Sequence, residues 1–195
     1  MRPFVPALFV ACLLGTVATA PADAATIRYA ATLTGGQEVP ANPSTGTGSV
    51  TVRIVDNETM IVALTFAGLT GSTTVAHIHA GAFGFNGPVM TTTPSFEGFP
   101  VGVTSGGYDA SVDLLLASSY NPAFVTGHGG VPQARAAFLA TLASGGAYFN
   151  LHSTAYPGGE LRGQLALVPL PAGAALLALA LAALGGAAAL RRRAA

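Results

Sequence analysis

The side chains with the clearest chemical potential are the four histidines, His77, His79, His128 and His152. His77 and His79 fall in Thr73 to His79, a stretch that reads as a β-strand. Side chains alternate along a strand, so both imidazoles project to the same face, the spacing by which one strand offers two nitrogen donors to a metal. His152 ends a second candidate strand, Ala147 to His152, and His128 sits in the Gly-rich stretch Thr126-Gly127-His128-Gly129-Gly130. A third and a fourth nitrogen are therefore available, and imidazole sets suit copper or zinc. The same residues also suit a plainer role, capping turns and hydrogen-bonding backbone at the open end of a β-fold. That structural role is the first expectation, and metal binding is the second.

Other chemistry is sparse. Glu160 and Arg162 share one face of a strand, where they can brace each other or a neighbour. Pro157, Gly158, Gly159 and Gly163 build a turn and allow close backbone approach, and Asn86-Gly87 before Pro88 is a further turn signal. The chain contains no Gly-x-Ser-x-Gly nucleophile elbow and no phosphate loop. No catalytic residue is assigned, and the expectation is a protein without enzymatic activity.

The elements that must position these residues are mostly strands. Thr26 to Thr34 and Gly48 to Val55 are rich in β-branched residues with period-two alternation, and Asp56-Asn57 marks a turn before Thr59 to Phe66. Pro88 to Thr92, Tyr108 to Leu116 and Leu161 to Val168 complete the set, separated by Gly, Pro, Asn and Ser clusters. Val131 to Gly145 differs, with Pro at a helix start, apolar residues at helical spacing and Gly past the end. The expected fold is all-β, a Greek-key β-sandwich or flattened barrel with one short helix.

Three ordered blocks carry a family resemblance: Thr34-Gly-Gly-Gln-Glu-Val-Pro40, Ala76-His-Ile-His-Ala-Gly81 continuing to Val89, and Tyr148-Phe-Asn-Leu-His-Ser153 continuing to Leu165. Together they resemble the chordin-type, or CHRD, domain across nearly the whole body of the chain. That resemblance implies an extracellular β-rich module. The His-x-His strand and the later strand-end His before a Gly-rich turn also resemble the copper centre of Cu/Zn superoxide dismutases, a Greek-key sandwich in which the first pair and the later His bind copper. The chain departs from that pattern in lacking a Cys pair, a metal-bridging His and the zinc-site Asp. Finally, Val168-Pro169-Leu170-Pro171-Ala172, an apolar run and Arg191-Arg192-Arg193 resemble the VPLPA-type sorting signals related to PEP-CTERM. Such signals imply processing by an exosortase-type membrane peptidase in a Gram-negative cell.

Both termini fit export. Residues 1–24 read as a signal peptide, with a basic start at Arg2, an apolar core from Phe4 to Val17 and Ala22-Asp23-Ala24 before the cut made by signal peptidase. Residues 25–167 form the domain, and 168–195 the sorting tail. Within that tail, Ala172 to Leu190 is long enough to cross a bilayer as a helix, with the three Arg holding its cytoplasmic end. The one Cys lies in the leader, so the domain has no thiol or disulfide chemistry. The domain's four Arg face seven acids, a net charge of −3 that argues against nucleic acid as a partner. The expected function is a non-enzymatic adhesion or binding module for surface polysaccharide or protein. It would be held at the inner membrane transiently or stably, then passed to the cell surface or matrix. The alternative is a domain that binds copper or zinc through His77, His79 and His152.

Overall fold

The computed structural model describes residues 26–169. The expected leader, the apolar run, Leu170 to Ala172 of the sorting motif and the Arg191–Arg193 cluster lie outside the described residues. Within 26–169 no helix is long and apolar enough to cross a membrane.

Eight strands form one curled antiparallel sheet: β1 (Thr26–Thr34), β2 (Thr47–Val55), β3 (Thr59–Ala67), β4 (Thr73–Ala80), β5 (Gly106–Asp113), β6 (Ala147–Ser153), β7 (Leu161–Gln164) and β8 (Ala166–Leu167). The spatial order is β4-β6-β7-β1-β2-β3-β5, with β8 also on β1. The expected all-β fold is borne out in this form. All the strands pair within one sheet that curls into a half-barrel, closer to the flattened-barrel alternative.

The β1–β2–β3 meander follows directly from local sequence. Val50, Val52 and Ile54 alternate with more exposed neighbours and pair with Leu64, Val62 and Met60, so one face of the ribbon is uniformly apolar and buried. Asp56 and Asn57 make the β2–β3 turn with φ of 51° and 60°. Two consecutive left-handed residues give the hairpin the strand twist it needs, and Asx side chains tolerate that conformation.

Three expected elements differ. Pro88 to Thr92 is not a strand but contributes isolated bridges, Val89 to His79 and Thr91 to Tyr120. The connection from Pro88 to Val103 instead runs along the outer edge of β4, where Met90 N donates to Ile78 O and Thr73 N to Val103 O. It thereby covers an edge that would otherwise expose its backbone. Leu161 to Val168 is split at Leu165, because β7 pairs with β6 while β8 pairs with β1 at Tyr29 and Ala30. The single expected helix is two: α1 (Pro122–His128) precedes α2 (Val131–Ala143).

The two helices pack against each other, and α2 reaches into the core. Phe138 and Leu142 of α2 are buried within the main core, and the Tyr120 ring stands edge-on to Phe138 at 6.2 Å. Aromatic rings fill the rest of the interior, including Phe96 stacked on Phe149 at 6.1 Å and Phe66 against Phe99 at 6.3 Å.

Candidate metal centre

Strand β6 is buried on both faces, and the two faces differ in chemistry. Ala147, Phe149 and Leu151 enter the apolar core. Tyr148, Asn150 and His152 point the other way, beside strands that present polar groups on the same face. The register sets His77 against Asn150 and Asn150 against Arg162, and sets His79 against Tyr148 and Tyr148 against Gln164. His152 pairs with Val75, one step along from His77. The result is a polar sheet face that loops cover, with Glu38 from the β1–β2 connection and Asn86 from the β4–β5 connection reaching into it.

His77, His79 and His152 come together on this face. Each offers one nitrogen, and these atoms all lie within 4.8 Å of one another. The closest pair is His77 Nδ1 and His79 Nε2, 3.2 Å apart. The rings pack at 5.2 Å for His77–His79 and 4.8 Å for His77–His152. All three are largely shielded, with exposures of 7%, 9% and 8%.

Backbone carbonyls fix the orientation of the rings. His79 Nδ1 donates to Gly87 O at 2.9 Å, and His152 Nδ1 donates to Pro157 O at 2.9 Å. With the proton held on Nδ1, Nε2 of each ring carries the free lone pair, the tautomer a metal ligand requires. His152 Nε2 is buried and has no hydrogen-bond partner. A buried imidazole nitrogen with no protein hydrogen-bond partner is a costly feature of a structural histidine and an ordinary one of a ligand.

The electrostatics keep the rings neutral. Burial pushes His77 down to about 4, aided by His152 and His79 and opposed by a backbone hydrogen bond at Pro94. Burial also lowers His79, against the Gly87 hydrogen bond, with His152 and Arg162 adding to the lowering. His152 is lowered by burial against its bond to Pro157. Neutral imidazole is the form that binds metal.

His128 does not join them. It ends α1, where its ring lies 4.3 Å from Phe124 and its Nδ1 donates to Phe124 O at 2.8 Å. The expected Gly-rich loop at His128 is instead a helical last turn, closed by Gly129 at φ 83°.

Glu160 and Arg162 do not pair; each braces a different loop. Glu160 is fully buried and accepts from Ser44 Oγ at 2.6 Å, Thr70 N at 2.5 Å, Gly71 N at 3.3 Å and the Ser153 hydroxyl. Burial raises its carboxyl, but these bonds outweigh burial and hold it below the usual range. Arg162 donates to Asn86 Oδ1 at 2.9 Å and Phe85 O at 2.7 Å, and its guanidinium carbon lies 3.5 Å from the Tyr148 ring centroid. On the other side Tyr148 stacks on His79 at 4.8 Å.

Tyr148, Asn150 and Glu38 were not singled out as candidates from the sequence. The first two were legible in principle, because Tyr148-x-Asn150-x-His152 is a period-two polar series within an otherwise apolar strand. Glu38 carries no such signal, since its place follows from how a remote loop folds over β6. Val168 and Pro169, the described part of the sorting motif, leave the sheet beside Arg28, whose carbonyl accepts from Val168 N at 2.8 Å.

No curated protein matches the chain. The family model of the CHRD domain matches residues 29–165, from within β1 to the end of β7, and so spans the whole polar face and its three histidines. The chain belongs to the CHRD domain family.

Proposed function

We propose that this chain is an exported metal-binding module in which His77, His79 and His152 hold a single copper or zinc ion. The observation that carries the reading is the buried, unpartnered Nε2 of His152, facing the same space as donor nitrogens of His77 and His79. Ligands at about 2 Å from one metal stand about 3.3 Å apart, and the His77–His79 pair at 3.2 Å already has that separation. The third nitrogen, up to 4.8 Å from the others, has to draw in by as much as about 1.5 Å, which a side-chain adjustment on ligand binding can supply. An extracytoplasmic setting, which the family resemblance and the two chain ends imply, suits a site built without thiolate.

The test is metal content. The full chain, purified and exposed to copper and zinc salts, is expected to retain about one ion per chain by mass spectrometry. His77→Ala with His79→Ala should retain none. Equal retention by the double variant ends the reading.

A second reading, adhesion to a surface polysaccharide or protein, is favoured by a separate observation. Phe83 and Phe85 are 72% and 69% exposed on the loop that Arg162 clamps from beneath. Two phenyl rings held outward on a fixed loop form a contact surface that a fold does not need for itself. Phe83→Ser with Phe85→Ser should then abolish retention of the chain on cell-surface material without altering metal content.

A further inference from the structure

The proposed metal site has an unusual charge environment. Among the described residues, no carboxylate or thiolate joins the three histidines within ligand range. A bound ion therefore keeps its whole charge, since neutral imidazoles supply none of the compensation that Cys or Asp ligands give.

A fixed positive charge lies close to the cluster on this face. Arg162 is 2% exposed, and its guanidinium lies on one face of the Tyr148 ring while His79 lies on the other. The cation is thus one aromatic ring away from a ligand. Its hydrogen bonds go to neutral oxygens of Asn86, Phe85 and Ala82, and no carboxylate lies in ion-pair contact with it. Glu38 is the acid that feels its charge most directly, and that carboxyl is itself buried. The influence of Arg162 already registers on His79, where it opposes protonation.

Burial strengthens this repulsion, because little water is present to screen it. A divalent ion meets twice the repulsion of a monovalent one. Coordination number acts in the same direction. Three nitrogens satisfy an ion that is content with three, whereas zinc(II) completes its tetrahedron and copper(II) its tetragonal set only by drawing in water or another outside ligand, which the shielded position of the three rings disfavours.

We infer that the His77–His79–His152 centre is selective for monovalent copper(I) over zinc(II) and copper(II), with Arg162 as the positioning charge that sets the preference. This rests on the reading that the cluster binds metal, and it adds which ion and oxidation state the fold favours.

The experiment is a pair of competition titrations on the full chain in detergent. Copper(I), kept reduced with ascorbate under anaerobic conditions, competes against bicinchoninate, and zinc(II) and copper(II) compete against chromophoric chelators of known affinity. Copper(I) is expected to bind at least about a hundredfold more tightly than zinc(II). Asn86→Asp places a carboxylate on Arg162 in a nearly isosteric side chain, partly cancelling its charge, and should narrow that ratio about tenfold. One unit of charge acting over about 10 Å at an effective permittivity of about 20 gives an effect of that order. Arg162→Met should narrow the ratio similarly where its melting curve shows a folded chain. Zinc(II) binding as tightly as copper(I), or an unchanged ratio in Asn86→Asp, overturns the inference while leaving the metal site standing. Absence of binding by all three ions, or binding that survives His77→Ala with His79→Ala, overturns the metal site itself.

Discussion

His77 Nδ1 and His79 Nε2 stand 3.2 Å apart on the same face of one strand, with the rings tilted by 71°. Two imidazole nitrogens at that separation either share one proton or face a common cation. The carbonyl of Gly87 claims the Nδ1 proton of His79, so the Nε2 lone pair remains free for either. The position is stable only while both rings stay uncharged, and pH sensitivity follows.

In an unfolded chain a histidine takes up its proton near pH 6.5, whereas folded His77 does so only near about 4, with His79 and His152 also lowered. Between these values the unfolded state binds more protons, so stability falls as pH drops from about 7 to about 4. Glu38 works in the opposite sense. Burial raises its carboxyl from 4.5 to about 7, against Arg162 and Asn150, so the folded state holds that proton over this window and gives up stability as pH rises. Glu160, held below its usual range, adds a loss only at more acid pH. Thermal melts of the metal-free chain should give a lower melting temperature at pH 5 than at pH 7. The slope should be shallower in His77→Gln and steeper in Glu38→Gln. Identical slopes in all three would contradict this account of the polar face.

Metal should reverse part of that loss. At a free metal concentration of about a hundred times Kd, binding to the folded state alone adds about 2.7 kcal/mol. For a domain of this size that raises the melting temperature by about 5 to 10 °C. Differential scanning calorimetry with and without metal measures the shift directly. His152→Ala should remove it, since the orphaned Nε2 is then gone.

Gly87 joins the loop to the ligand. A Cβ there would come within 1.6 Å of Ala80 O, so any larger residue must displace the backbone that supplies the His79 acceptor. Gly87→Ala is expected to weaken metal binding about tenfold or more, in the range seen when a ligand's orienting partner is lost. It should cost stability as well, because the backbone it displaces is the end of β4 at Ala80, so affinity is compared at a temperature where melting curves show the variant folded. An affinity equal to that of the unaltered chain would show that the carbonyl does not orient the ring.

Glu160 is the structural counterpart to the histidines. Its carboxylate gathers Ser44, Thr70, Gly71 and Ser153, which belong to three separated segments of the chain. Glu160→Ala leaves these buried donors without an acceptor and is expected to cost about 3 kcal/mol or more. Denaturant unfolding should show the midpoint moving down with little change in slope. Metal affinity in the folded fraction should be unchanged.

Local alternation of the sequence determined the meander and the placement of His77 and His79 on one face, and helical spacing between a Pro and a Gly determined α2, because each depends on residues within a few positions of one another. Helix α1, whose Asn121 Oδ1 accepts from Ala123 N at 2.9 Å, was not expected, because the glycines around His128 read as a loop. Tertiary structure alone decided what the histidines face. Pairing of β4 with β6 brings His152 beside His77, 75 residues away in sequence; the connections that follow these two strands supply the carbonyls of Gly87 and Pro157, and β7 brings in Arg162. Alternation says which side a residue takes, but it does not say which strand lies beside it. That choice follows from the closure of the whole sheet, to which every strand contributes at once.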